Sequence, residues 1–394
     1  MIKLSERVGA ISGSPTLKLV QIKNQLQAKG LKIFDFGAGE PDFPTPEHIK
    51  NAGITAIQKN FTKYTSTSGI VDLKKAIREN YLKEQGFAPE DTEIIVSPGS
   101  KFGMFLLLQA AVDPGEEVIL PLPYWVSYPE IAKFGNARIV HADHISGAEL
   151  FELTADSYIA RYSPLTKVVV VNSPSNPTGK IMNAAELAKL VRFFYQKSVL
   201  TVIDDCYRKI MYSTEPYPSP FALVPEARDC LAVVSSLSKT YSMTGWRLGY
   251  TIAPQSLCAA MTKIQEHSTS NASSITQKAA VAALNGPEDE IIAMVSEYRQ
   301  RRDTIARRFD KIGNIRYRLP DGAFYFFADF GHFIRKKGKR NDQEFAMDIL
   351  EKLNVIVVPG SAFGAPNYLR ISFATAMADI EAGLDLLEKY LLTP

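Results

Sequence analysis

The 394-residue chain is poor in cysteine, in charge of one sign and in long apolar runs. Its three cysteines, Cys206, Cys230 and Cys258, form no CxxC pair. An odd, dispersed set argues against a disulfide framework or a zinc site and fits a reducing compartment. The net charge of +3 gives no general pull toward nucleic acid or a membrane surface. No stretch approaches the roughly 18 apolar residues that span a bilayer, and the first residues lack a signal-peptide core. A soluble, cytoplasmic protein without nucleic-acid or membrane partners is expected. His141 and His144 fall at helix- or strand-edge spacing and read as structural, and no metal site is expected. Arg299, Arg301, Arg302, Arg307 and Arg308 alternate with acidic residues and read as a solvated helix face. Lys336 to Arg340 is a basic loop too short for a nucleic-acid footprint.

What the chain does have is alternation. The runs Glu93–Val96, Glu117–Leu120, Lys167–Asn172, Val199–Asp204 and Leu231–Ser235 are short, apolar and β-branched, and helical patterns such as Ala184–Gln196 separate several of them. This predicts an α/β fold with a buried sheet covered on both faces. Beyond about residue 290 a long charged helix, Glu288–Lys311, leads into a second pattern of strands and helices that predicts a smaller α+β domain. The expected division is an N-terminal arm and part of the small domain over 1–45, a large domain over 46–288 and a small C-terminal domain over 289–394. Ligands of such sheets bind beyond the carboxyl ends of the strands, and four motifs fall there.

Ser236-Leu237-Ser238-Lys239 follows the run Val233-Val234, with Arg247 eight residues beyond Lys239. Desolvation and nearby positive charge lower a lysine's pKa and suit it to attack a carbonyl. Serine hydroxyls and an arginine suit a dianionic phosphate. Pyridoxal 5′-phosphate (PLP) carries both an aldehyde and a phosphate. Ser97-Pro98-Gly99-Ser100-Lys101 opens a helix whose free N–H groups make an anion site; the phosphate is expected there, with Ser100, Lys101, Ser236 and Arg247. Asp204 ends a strand, where a carboxylate needs a partner such as a protonated pyridine nitrogen. Asp205 competes for that role. Tyr207 and Asn176, the latter between Ser175 and Pro177 in a turn with two prolines, could donate to a phenolate oxygen. Trp125 follows another strand and could stack on an aromatic cofactor ring. Gly37-Ala38-Gly39-Glu40 permits close backbone approach but is not the dinucleotide fingerprint. Arg370, on a predicted strand, could grip a carboxylate with two parallel hydrogen bonds.

The segment around Lys239, the block Asn172–Gly179 and the strand Tyr368–Ala374 together resemble class I PLP-dependent aminotransferases, and within them the bacterial aspartate and aspartate/prephenate enzymes. The resemblance runs from Ser14 to Arg370. It implies the PLP-dependent transferase fold type I, with a large domain built on a mixed, mostly parallel sheet, and a homodimer sharing its active sites. It implies that Lys239 anchors PLP covalently and shuttles a proton, that Asp204 rather than Asp205 pairs with the pyridine nitrogen, and that Trp125 stacks on the ring. Asn176 and Tyr207 serve the phenolate oxygen, and Tyr64 reaches the phosphate of the neighbouring subunit. Gly39 and Arg370 take the substrate carboxylate, with Trp125 and Asn176 also lining that subsite, and Lys101 binds a distal carboxylate. The implied reaction is ping-pong transfer of an amino group from L-aspartate or another amino acid to 2-oxoglutarate. Aromatic or prephenate transamination and a carbon–sulfur β-lyase on the same fold are the alternatives. A non-catalytic PLP-binding regulator ranks lower, since such proteins append a DNA-binding segment. The block Gly13-Ser14-Pro15-Thr16-Leu17 lacks a further serine that some relatives carry, which leaves side-chain selectivity more open than reaction class.

Overall fold

The computed structural model describes residues 2, 5–13, 15–145, 150–213 and 215–393. Ser14 of the N-terminal block lies outside the described residues. In chain order the strands are β1 (Phe34–Asp35), β2 (Ile94–Ser97), β3 (Glu117–Leu122), β4 (Arg138–Asp143), β5 (Thr166–Asn172), β6 (Leu200–Asp204), β7 (Leu231–Ser236), β8 (Gly249–Ile252), β9 (Arg316–Tyr317), β10 (Tyr325–Asp329), β11 (Val355–Ile356), β12 (Val358–Pro359) and β13 (Tyr368–Ser372). Seven of them form one sheet in the order β2-β8-β7-β6-β5-β3-β4. β4, β3, β5, β6 and β7 run parallel, and β8 is antiparallel to both of its neighbours. The sheet is thus mixed and mostly parallel, as fold type I requires.

The strand runs are continuously apolar because both faces are covered. In β5, Val169 and Val171 enter one apolar layer while Val168 and Val170 enter the other. That is the period of two expected of a strand. Each fully buried valine contributes roughly 1.5–3 kcal/mol relative to exposure. An aspartate at Val170 would bury an unpaired charge and break the sheet's centre.

The covering helices follow the same logic. The helix Ala184–Gln196 starts where the Asn183 side chain accepts a hydrogen bond from the Glu186 N–H, and it buries Leu187, Leu190, Val191 and Phe194. Those positions recur at three and four residues, one face of a helix. Observed strand ends lie within two residues of the sequence expectation. The apolar run Val355–Val358 is not one strand. It divides into β11, which pairs with β1, and β12, which pairs with β13 in a separate four-stranded sheet, β12-β13-β10-β9.

The arginine-rich helix, Asp289–Ile312, departs from expectation. Arg301 is buried, not solvated: it donates to Asp42 at 2.8 Å, to Glu297 at 3.0 Å and to the Phe373 carbonyl at 3.3 Å. Arg302 donates to the Pro320 carbonyl at 3.1 Å and lies over the Tyr212 ring. The helix packs against the rest of the chain on this side, and a guanidinium can be buried when acceptors surround it.

Candidate active site

A pocket of about 650 Å³ opens beyond the carboxyl ends of β5, β6 and β7. It collects Gly39, Ser100, Lys101, Trp125, Asn176, Asp204, Tyr207, Ser236, Lys239, Arg247 and Arg370, all the predicted site residues except Tyr64. Tyr64 is 88% exposed and is not part of this wall.

Lys239 stands on a single helical turn, Leu237–Thr240, directly after β7. Ser236 ends the strand and accepts a hydrogen bond from the Ser238 N–H at 3.0 Å, which fixes the turn. The ammonium donates to the Gly39 carbonyl at 2.6 Å. Burial lowers the lysine's proton affinity to a pKa of about 8, with Cys206 and Glu40 opposing and Arg247 and Arg370 adding to the effect. An amine of that pKa exchanges protons near neutrality.

Asp204 ends β6 and is buried. Its Oδ2 accepts from the Tyr128 hydroxyl at 2.6 Å and its Oδ1 from the Cys206 N–H at 3.3 Å. Burial raises its proton affinity, and these two donors hold it down. Asp205, beside it, lies outside the pocket wall: its carboxylate is 3.7 Å from the Arg208 guanidinium, and burial lifts its pKa to about 6.

On the next strand the Asn172 side chain donates to the Asp204 carbonyl at 3.2 Å and accepts from the Asn176 N–H at 2.7 Å. The turn that follows is thereby tied to the strand end. Asn176 Oδ1 accepts in turn from Arg370 at 3.1 Å, and Arg370 also donates to the Gly37 carbonyl at 2.8 Å. Its Nε has no partner among the described residues, although the residue is only 2% exposed. The guanidinium lies 4.4 Å from the centre of the Tyr325 ring, and the Tyr325 hydroxyl pairs with that of Tyr207 at 2.9 Å. Burial pushes its pKa below the ordinary arginine value, with Tyr325, Tyr207 and Asp35 opposing.

The opposite side is a helix start. Ser100 begins the helix Ser100–Ala111, and Gly99 before it has φ +86°. A Cβ at Gly99 would stand 2.4 Å from an Arg247 nitrogen, so only glycine lets that guanidinium approach the helix N-terminus. Arg247 itself is held by the carbonyls of Thr244 at 3.0 Å and Pro98 at 3.5 Å, with φ +55°. Arg247 and the Ser100 helix start line the same pocket, an arrangement that suits an anion. Lys101 lies 5.1 Å from the centre of the Trp125 ring; burial, then Arg247, lowers its pKa.

Sequence reasoning missed Tyr128, Tyr325, Lys23 and Asp35, which line the pocket together with Ser238 of the lysine motif. Tyr128 had a signal, lying three residues after Trp125 at the start of a helix. The others depend on contacts over long sequence separations.

Comparison with known proteins agrees with this geometry. The family described as aminotransferase class I and II matches residues 32–387. The aspartate aminotransferase of Geobacillus stearothermophilus is 38% identical over 99% of this chain and 99% of its own. The aspartate/prephenate aminotransferase of Nitrosomonas europaea is 40% identical over 96% and 97%. Among solved structures, the aspartate aminotransferase of Rhizobium meliloti superimposes with a TM-score of 0.94 at 38% identity, covering 99% of each chain. That of Thermus thermophilus with maleate gives 0.93 at 33% identity, covering 99% of this chain and 100% of its own. With its sheet, its strand-end pocket and its relatives in agreement over nearly the whole length, this chain is an enzyme that belongs to the class I and II aminotransferases.

Proposed function

We propose that this enzyme transfers the amino group of L-aspartate to 2-oxoglutarate, using PLP as its cofactor. The observation that carries the reading is one pocket holding a lysine of pKa about 8, Lys239, together with a buried arginine, Arg370, that has a donor unpartnered among the described residues. The first suits proton transfer at a substrate carbon and the second a carboxylate.

The residues fit the cofactor. The buried Asp204 carboxylate suits a pyridinium nitrogen, and the Ser100 helix start with Arg247 and Ser236 suits a phosphate. Tyr207 and Asn176 lie in the same wall for a phenolate oxygen. PLP, when bound through Lys239, supplies an electron sink for the substrate's Cα. Arg370 and the Gly39 backbone orient the α-carboxylate, Trp125 excludes water from one ring face, and Lys239 moves a proton to and from Cα. Lys101 meets the distal carboxylate of a dicarboxylic substrate. The Thermus thermophilus structure is that of the enzyme with maleate, a four-carbon dicarboxylate, which favours an acidic substrate.

The chain is further read as a cytoplasmic homodimer in which Tyr64 reaches the phosphate of the neighbouring subunit. Its exposure outside the pocket wall suits that role, and no described helix is long and apolar enough to cross a membrane. The division at 1–45, 46–288 and 289–394 is proposed on the pairing of β1 with β11, which joins the N-terminal segment to the C-terminal one.

The test is an absorbance-monitored titration of the purified protein. Aspartate should shift the cofactor band and release oxaloacetate, and 2-oxoglutarate should restore the band. Release of ammonia, pyruvate and a thiol from a thioether substrate such as cystathionine would indicate a lyase instead. A response to aromatic amino acids or to prephenate with glutamate, without one to aspartate, would move the assignment to the aromatic or prephenate activity.

A further inference from the structure

The pocket's charges do not all belong to the reading above. Lys23, from the helix Pro15–Ala28, and Asp35, from β1, also line it, and they form an ion pair at 2.8 Å. Both side chains are largely withdrawn from solvent, at 30% and 15% exposure.

Asp35 sits close to the carboxylate-binding end of the site. Its Oδ1 accepts from the Gly37 N–H at 2.9 Å, while the carbonyl of the same residue accepts from Arg370 at 2.8 Å. A Cβ on Gly37 would lie 2.8 Å from Ile356 Cγ2, so the glycine backbone is pressed between β11 and the pocket. One residue therefore links the Asp35 carboxylate to the Arg370 guanidinium. An unpaired carboxylate here would repel an incoming carboxylate and compete with it for Arg370. In a partly desolvated pocket such interactions are stronger than in water.

We propose that Lys23 is a positioning residue for substrate recognition: by neutralising Asp35, it keeps Arg370 available to the α-carboxylate of every amino-acid and oxo-acid substrate. This rests on the assignment of the α-carboxylate to Arg370. The role differs from that of Lys101. Lys101 discriminates among substrates by their distal group, whereas Lys23 acts on the part that all of them share. Asp35 in turn fixes the Gly37 peptide and ties the helix Pro15–Ala28 to the pocket wall through Lys23.

The test measures binding of two non-reacting carboxylates, maleate and 3-phenylpropionate, to the PLP-loaded enzyme by calorimetry, with KM and kcat measured in parallel. Lys23→Met should weaken both ligands about tenfold, roughly the 1.4 kcal/mol of one decade, and raise KM for aspartate and for 2-oxoglutarate with little change in kcat. Adding Asp35→Asn to Lys23→Met should restore both affinities, because the unpaired charge is gone. A merely structural ion pair would lower the melting temperature without that restoration. Loss confined to maleate would overturn the proposal and make Lys23 a distal-carboxylate ligand. Unchanged affinities, or failure of the double variant to recover, would overturn it too. Arg370→Lys separates the two levels. If it weakens both ligands while Lys23→Met does not, only the Lys23 role falls. If it weakens neither, the Arg370 assignment itself falls.

Discussion

The Tyr128 hydroxyl donates to Asp204 Oδ2 at 2.6 Å, with both side chains buried. This bond opposes the rise in proton affinity that burial imposes on Asp204. It also leaves the carboxylate one orientation in which to face the pocket. Tyr128→Phe should therefore raise the Asp204 pKa and weaken PLP retention. A hydrogen bond to a charged group contributes about 1.5–3 kcal/mol, so the PLP dissociation constant from equilibrium dialysis should rise by roughly 10–100-fold. An unchanged constant would assign Tyr128 to packing alone.

Lys239→Ala should purify with PLP held non-covalently and lose transamination. Loss of positioned acid–base help costs about 10²–10⁴-fold by itself. Borohydride treatment followed by mass spectrometry checks the anchor. Cofactor fixed to another lysine in the variant would refute the assignment.

Asp204→Ala should weaken PLP binding and turnover far more than Asp205→Ala. Asp204 faces the pocket, whereas Asp205 faces Arg208, which is also satisfied by Glu84 and Asn80 at 3.0 Å each. Equal losses in the two variants would place the pyridine partner elsewhere.

Lys101→Ser should cost on the order of 10–100-fold in kcat/KM toward aspartate and glutamate, the worth of one charge-assisted hydrogen bond. Aromatic and neutral substrates should be spared. Equal losses for all substrates, with weaker PLP retention, would assign Lys101 to the cofactor.

The lowered pKa of Lys239 also predicts a stability signature in cofactor-free protein. A folded pKa of about 8 against an ordinary value of 10.5 means that the unfolded chain binds more protons between those pH values. Stability from this group therefore rises with pH across that window, and below about pH 8 the buried charge is fully destabilising. Cofactor-free Lys239→Met should melt higher than cofactor-free wild type at pH 7, and the gap should narrow as pH rises through 8 toward 10. A gap independent of pH would show that the amine is not strained by burial.

Much of this was legible in the chain because the signals are local. Val168 to Val171 read as a doubly covered strand, and Ala184–Gln196 read as a helix to the residue. Lys239, Asp204, Asn176 and Ser100 each stand at the end of an apolar run or the start of a helix, where backbone geometry dictates direction. Their convergence follows from the parallel sheet, whose carboxyl ends share one edge. Arg301 was misread because amphipathic charge on a helix does not say which acceptors lie across from it. Asp42 and Phe373 are 259 and 72 residues away from it in sequence.

The sequence by itself determined the strand-and-helix order, the residue types at the strand ends and, through the resemblance of whole segments, the family. Only the tertiary structure decided which aspartate faces the pocket, that Tyr128 bonds to Asp204, and that Lys23 and Asp35 meet beside Arg370. The physical reason is separation. Propensity and periodicity act over a few residues, whereas a buried charge is partnered by whatever the folded chain brings within about 3 Å. Asp35 and Arg370, linked through Gly37, lie on opposite ends of the chain and share a wall because β1 pairs with β11 and the Ser372 N–H at the end of β13 donates to the Phe36 carbonyl at 2.7 Å.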